Sequence, residues 1–120
     1  MTQIFNQAAT VLNPGFVDSP YSSEPVPSWD VPGEETELGF LVSVQPAGSS
    51  EGEVERPTTV TQWRFFTPPG TDIPEMTAAS RIRLGGTLLF DVVGVPERWP
   101  DPFRPGKVHH VEATLEVVHG

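Results

Sequence analysis

The sequence predicts an all-β domain, a small antiparallel β-barrel of five to six strands with long loops rich in proline and glycine. Two observations lead to this fold class. Proline and glycine together supply 25 of the 120 residues (14 Pro and 11 Gly), which is too many for a helical protein. Short stretches of alternating apolar and polar residues also recur along the chain, separated by turn-forming residues. Closure into a barrel would remove exposed strand edges.

The length indicates one domain, covering residues 1–120. Three segments are predicted to lie outside the strands: a flexible arm at 1–8, a long loop at 14–36 and an acidic loop at 47–57. The long loop contains five prolines, and we expect Tyr21 and Trp29 to anchor it to the body of the domain.

The strands of the first half are predicted at 8–13, 39–46 and 58–66. In the second of these strands, the alternation places Phe40, Val42 and Val44 on one face. In the third strand, Trp63 and Phe65 share a face. A proline-centred turn follows at 67–72, and residues 73–79 are compatible with one helical turn.

A β-hairpin is predicted in the second half. Gly85 and Gly86 form a two-residue turn, because only glycine accepts positive φ freely at both positions. The strand that follows is expected to break at 94–96 and to lead into a rigid, proline-rich connection at 97–107. The last strand, from Val108 onward, alternates cleanly. Its inward residues are Val111, Ala113, Leu115 and Val117, and its outward residues are His110, Glu112, Thr114 and Glu116.

The charge is strongly asymmetric. The chain carries a formal net charge of −9, and residues 1–60 hold nine acidic residues against the single base Arg56. Such a surface repels phosphate groups, which argues against a protein that grips nucleic acid. A contribution of the acidic loops to solubility explains the same charge distribution equally well.

The residue inventory limits the chemistry further. With no cysteine, a disulfide framework or thiolate metal site cannot form. No apolar run approaches the ~20 residues of a membrane span, and the N-terminus does not resemble a secretory signal, so we expect synthesis in the cytoplasm and no membrane association.

No reaction centre is predicted. His109 and His110 are adjacent, so in a regular strand they point to opposite faces and cannot chelate one ion. The serines lie in loops outside any nucleophile elbow, and the carboxylate pairs lie in polar loops. We therefore expect a protein that is not an enzyme and that uses neither a cofactor nor a metal.

Trp99, Pro102 and Phe103 admit two interpretations. They can fold back as a cap on the barrel end, which we favour, or the aromatic rings can stack on a sugar or a base. The second interpretation, extended to Trp29, would make the chain a small ligand- or carbohydrate-binding β module. Arg81 and Arg83 face outward and serve either as a solvated face or as ion-pair partners for a neighbouring subunit.

Four stretches, in their order along the chain, resemble the head-to-tail stopper, or head-completion (head-closure), proteins of long-tailed bacteriophages, especially those of actinobacterial hosts. They are "VSVQP" (42–46), "TVTQWRFFTPPGTDI" (59–73), "SRIRLGGTLLFDVVGVPERWPDPF" (80–103) and "HHVEATLEVVHG" (109–120). The spacing G-x-P-x-x-W-x-x-P is supplied by Gly94, Pro96, Trp99 and Pro102. The resemblance covers about two-thirds of the chain and lies in the order of the stretches. Ser80 departs from the aspartate that the family often has there.

The resemblance implies a structural virion protein. Such proteins are small β-barrels that form a ring, commonly of twelve copies, in the neck of the particle. The ring closes the DNA channel and connects the portal and adaptor above it to the tail-completion or tail-terminator protein below it. By analogy, the loop that carries Glu51, Glu53, Glu55 and Arg56 would face the channel, with only transient, non-specific contact with DNA. A tail-completion protein is the nearest alternative.

Overall fold

The computed structural model describes residues 4–47 and 62–118 of the chain. These residues form nine β-strands and, within the described ranges, no helix. The strands are β1 (Ala9–Leu12), β2 (Gly15–Val17), β3 (Val26–Ser28), β4 (Glu35–Glu37), β5 (Ser43–Pro46), β6 (Gln62–Phe66), β7 (Arg81–Leu84), β8 (Leu88–Pro100) and β9 (Val108–Val117). The prediction of an all-β protein is confirmed. The predicted helical turn at 73–79 is wrong, because this segment forms only hydrogen-bonded turns.

Seven strands form one antiparallel sheet in the order β4-β1-β7-β8-β9-β6-β5, and β2 and β3 form a separate two-stranded ribbon. The strand count exceeds the predicted five to six because the long loop at 14–36 contains β2, β3 and the start of β4. These strands are only three residues long, which is too short for the alternation of apolar and polar residues to register in the sequence.

The described strands do not form a closed barrel. One antiparallel bridge, between Gln7 and Val42, connects the segment before β1 to the segment before β5. Gln7 exchanges two backbone hydrogen bonds with Val42, of 3.1 and 2.8 Å, and its side-chain Oε1 accepts a third from the backbone N–H of Val44 at 3.0 Å. The predicted flexible arm is therefore fixed to the sheet at Gln7.

The core lies on one face of the sheet and is made by the alternating residues of its strands. Val11, Phe65, Ile82, Val111 and Leu115 are all fully buried. Phe90, Val92 and Ala113 join them, and Trp63, Val44 and Phe40 pack at the margin. Pairing across the sheet aligns the inward positions: Val11 with Ile82, Ile82 with Phe90, and Val92 with Leu115. The inward alternation predicted for β7 and β9 is thus observed. The prediction for 39–46 is wrong in detail, because β5 begins only at Ser43, and Ser43, on the face opposite Val44, is buried while Val44 is half-buried.

The hairpin between β7 and β8 turns through three residues, not two. Gly85 and Gly86 have φ values of 58° and 84°, as the two central positions of a type I′ turn require, and Thr87 N–H donates to the Leu84 carbonyl at 3.2 Å. However, Leu84 pairs with Leu88, so Thr87 is also part of the loop. The prediction of a two-residue turn is therefore wrong by one residue, because the turn contains three.

β8 does not break at 94–96 as predicted. It continues to Pro100 through a β-bulge, with a register shift between Val93 and Glu97 and a positive φ of 77° at Gly94. A bulge admits proline because the extra residue leaves the ladder of hydrogen bonds. The proline-rich connection is therefore shorter than predicted, since residues 97–100 pair with β9.

Within the described residues, no helix is long and apolar enough to cross a lipid bilayer.

Candidate interaction surfaces

The β8–β9 hairpin forms an arm that extends beyond the rest of the sheet. β7 pairs with β8 only as far as Asp91, so among the described strands the second half of β8 pairs with β9 alone. Pro96 and Pro100 lie in this half, and proline at an edge discourages pairing with a strand of another chain. Contact through this arm must therefore use side chains.

The turn at the end of the arm is stabilised by Asp101. Its Oδ1 accepts the Phe103 backbone N–H at 2.8 Å, and its Oδ2 accepts Arg104 Nε at 2.9 Å. The backbone hydrogen bond from Phe103 and the guanidinium of Arg104 lower the pKa of Asp101. Within this turn, Phe103 is 90% exposed and Pro102 is also exposed.

The predicted cap of Trp99, Pro102 and Phe103 is not packed in this chain. Only Trp99 contacts the hairpin. It is 45% exposed, and its ring stacks on His110, with 6.0 Å between the ring centroids and 5° between the planes. The sequence identified the aromatic residues, but it could not tell that the turn at 101–107 directs Phe103 away from the sheet.

A polar network covers the outer face of the hairpin, with Arg64 of β6 at its centre. Its guanidinium donates to Thr114 Oγ1 at 2.9 Å, to Glu112 Oε1 at 2.8 Å and to Glu97 Oε1 at 3.1 Å. The same group lies 5.6 Å from the centroid of the Phe66 ring. Arg64 thus joins β6, β8 and β9 on one face, a role that no sequence motif indicates because it depends on strand register.

His109 and His110 are in contact, contrary to the prediction for a regular strand. Trp99 pairs with His110 and Pro100 pairs with Val108, so His109 is an extra residue in β9. The two Nδ1 atoms are 2.8 Å apart, and His110 Nε2 lies 2.7 Å from Glu112 Oε2. In the described part of the chain, no group of three or more histidine, aspartate or glutamate residues is arranged to hold a metal ion.

A shallow groove of about 230 Å³ opens beside this histidine pair. Its walls are mostly apolar and come from the N-terminal segment, the end of β6 with the turn that follows, and β9. The lining residues are Phe5, Phe66, Thr67, Pro69, His109, His110 and Glu112. The sequence could not reveal this groove, since three separate segments form it.

The β2–β3 ribbon is the second projection. Trp29 anchors it as predicted, because its ring lies 4.4 Å beneath the guanidinium of Arg81. Tyr21 does not anchor it: the side chain is 97% exposed at the end of the ribbon. Arg81 and Arg83 were expected to be solvated or to pair with a neighbouring subunit, but both form ion pairs within the chain: Arg81 with Asp91 at 2.8 Å and Arg83 with Glu35 at 3.0 Å.

The aromatic residues of the alternative ligand platform do not lie together. Trp29 packs on Arg81, which pairs with Asp91, whereas Trp99 lies eight residues further along β8. At the rise of a β-strand this separation is about 25 Å. Glu51, Glu53, Glu55 and Arg56 lie outside the described residues.

An ion pair connects the arm to the loop before β7. Arg98 Nε donates to Asp72 Oδ1 at 2.9 Å, and its Nη2 donates to Asp72 Oδ2. The hydrogen bond from Arg98 is the largest cause of the lowered pKa of the Asp72 carboxyl; burial opposes it, and the Ile73 N–H lowers the pKa further.

Asp72→Asn is expected to reduce stability at pH 7, with the difference from the wild type shrinking as the pH falls. The folded-state pKa of Asp72 lies below the unfolded value of about 3.9, so the stabilisation is present above that value and lost as pH falls through the folded pKa. Urea titrations at pH values from about 7 to 2 measure this gap. Asp18→Asn, at an exposed site, is the matched control; a gap that stays constant with pH would contradict the assignment.

No protein-family model, curated protein or solved structure matches this chain.

Proposed function

We propose that this chain is a structural subunit of a phage virion, a head-to-tail stopper that forms a ring in the neck, closes the DNA channel and joins the portal and adaptor to the tail. The proposal starts from the order of the four sequence stretches that resemble this family. One structural observation supports it most: a small antiparallel sheet carries two projections whose ends expose aromatic side chains.

The shape of the chain is consistent with a subunit of an assembly. Its radius of gyration is 16.2 Å, against about 13.6 Å for a compact domain of this length. The ribbon exposes Tyr21 and Phe16, and the hairpin arm exposes Val95, Trp99 and Phe103. On this proposal, neighbouring subunits of the virion cover these side chains.

The barrel expected for this family is part of the proposal. β5 is the last strand of the sheet on one side, and the bridge from Gln7 to Val42 attaches it to the chain that enters β1. Because β4 occupies the second edge of β1, a six-stranded barrel would close by further pairing of the residues before β1 with β5, extending the bridge at Gln7. We propose that assembly completes this closure.

Cryo-electron microscopy of the particle that carries this chain tests the function. The expected result is a ring of copies, twelve by analogy, between the adaptor and the tail. Density that places the chain directly on the tail tube would favour a tail-completion protein. Absence of the chain from virions would overturn the proposal and return attention to a ligand-binding module.

The triple change Glu51→Gln, Glu53→Gln, Glu55→Gln tests the proposed channel loop. A ring multiplies three negative charges per copy into an anionic collar that repels DNA phosphates and lets the duplex slide. We expect the neutral variant to change DNA retention or ejection, measured as the genome-filled fraction of particles and the ejection rate. The matched control is Glu34→Gln, Glu37→Gln, Glu75→Gln, which removes the same charge from three exposed sites outside this segment of the sequence. Unchanged DNA retention and ejection in the loop variant would contradict the proposal that this loop faces the channel.

A further inference from the structure

The two projections differ in a way that suits contact between copies. The β2–β3 ribbon ends in a loop of eight residues, 18–25, that holds two acids, no base and the 97% exposed Tyr21. Across the molecule, the groove beside His109 is mostly apolar and open. The apolar recess has a volume of about 230 Å³, enough to take one aromatic ring.

The distribution of charge also favours a contact between the ribbon of one copy and the groove of another. Each described arginine is held in an ion pair within the chain. Lys107, the single lysine, has no ion pair among the described residues, and it lies two residues from His109 of the groove. Asp18 and Glu24, on either side of Tyr21, likewise have no described cationic partner. The acidic end of the ribbon therefore has Lys107 as a complementary charge near the groove, whereas Glu112, which also lines the groove, is already held by Arg64 and His110.

The ribbon and the N-terminal wall of the groove lie at opposite ends of β1. The ribbon leaves the C-terminal end of β1 at Asn13, whereas Phe5, which lines the groove, precedes the N-terminal end of β1. Eight residues of extended chain separate these points by about 26 Å. Trp29, packed on Arg81, holds the base of the ribbon in place.

We propose that the Tyr21 end of the ribbon of one copy inserts into the groove between β6 and β9 of the next copy. This inference rests on the proposed function, because the contact that it names is the one between neighbouring subunits of the ring. Because ribbon and groove are different surfaces, the contact is heterologous, and repeated contacts generate a ring if the rotation closes or a filament if it does not. Glu24 and Asp18 approach Lys107 of the neighbour, and the Tyr21 ring packs against Phe66 and Pro69.

The absence of cysteine in the native chain makes a clean cross-linking test possible. In the double variant Ser23→Cys, Pro69→Cys, a short bismaleimide is expected to join successive copies into a ladder of dimers, trimers and larger species at about 1 mM protein. Each single variant gives dimers at most. The matched control is Ser23→Cys, Thr87→Cys, which moves the second cysteine to the exposed turn between β7 and β8 and is expected to give no ladder.

Two further changes in the double-cysteine background test the chemistry of the contact. Tyr21→Ala is expected to remove the ladder, with an unchanged thermal unfolding midpoint because the side chain is exposed. Lys107→Glu is expected to reduce ladder formation severalfold, and addition of Glu24→Lys to restore it. A ladder that survives Tyr21→Ala, or no restoration by the second charge reversal, would overturn the contact.

The outcomes separate this inference from the ring itself. If a ring is found at the neck but its copies do not cross-link between positions 23 and 69, the proposed function stands and this contact is rejected. If the cross-linked ladder forms but the chain is absent from the neck, the contact stands and the proposed function is rejected. Exclusive cross-linking of position 23 to a different virion protein would assign the ribbon to that partner and reject a second copy.

Discussion

Phe65→Ala is expected to lower the free energy of unfolding by about 4 kcal/mol. Phe65 lies in the middle of β6, is fully buried, and pairs with Val44 on one side and Ala113 on the other. Truncation removes a large apolar side chain and leaves a cavity between three strands that the sheet ladder prevents from collapsing. A domain of this size has only about 5–15 kcal/mol of stability, so this single change should remove roughly a quarter to four-fifths of it.

Phe103→Ala is the matched control, since the same atoms are removed from a side chain that is 90% exposed. It should change the free energy of unfolding by less than about 0.5 kcal/mol. Urea unfolding followed by tryptophan fluorescence gives both values. A loss below about 1 kcal/mol for Phe65→Ala would show that Phe65 is not in the core and that the register of β6 is different.

Gly33→Ala is expected to cost about 3 kcal/mol. A Cβ atom at this position would lie 1.9 Å from the carbonyl oxygen of Asn13 and 2.5 Å from the carbonyl carbon of Pro14. Both neighbours are backbone atoms, so the two segments must separate. Asn13 cannot move freely, because its backbone N–H donates to the Glu34 carbonyl at 2.8 Å and its side chain bonds Ser80 and the Glu75 carbonyl.

The consequence of this change extends to the ribbon. Displacement of Asn13 from Glu34 loosens the junction where the ribbon joins β1, so Trp29 should lose its packing on Arg81 and shift its fluorescence. Gly39→Ala provides the control, because a Cβ at this glycine meets nothing within 4 Å. Its free energy of unfolding should stay within about 0.5 kcal/mol of the wild type. Equal stability of the two variants would contradict the close approach at Gly33.

Much of the fold was accessible from residue patterns. The inward positions of β7 and β9 were predicted correctly because alternation over four or more residues distinguishes the two faces of a strand. The glycine pair of the β7–β8 hairpin was identified because positive φ at two successive residues requires glycine. Failures came where a strand was short or irregular: β2 and β3 lack a readable period, and the bulge at Gly94 was mistaken for a break.

The candidate surfaces were less predictable. Alternation assigned His110 and Glu112 to the outer face, yet the contact between His109 and His110 depends on a bulge set by pairing with Trp99 and Pro100. The Arg64 network and the groove required the register of β6 against β9 and the position of the N-terminal segment. These are relations between segments distant in sequence, and no local pattern encodes them.

The amino-acid sequence alone determined the all-β class, the inward faces of the long strands, the acidic charge and the lack of any thiol chemistry, because these follow from composition and local stereochemistry. Only the tertiary structure decided that Trp29, although 40% exposed, lies against Arg81 while Tyr21 is almost fully exposed, that Phe103 points away from the sheet, and that an apolar groove lies beside two histidines. Aromatic residues in loops have no period, so their burial depends on which distant strands the fold brings beneath them.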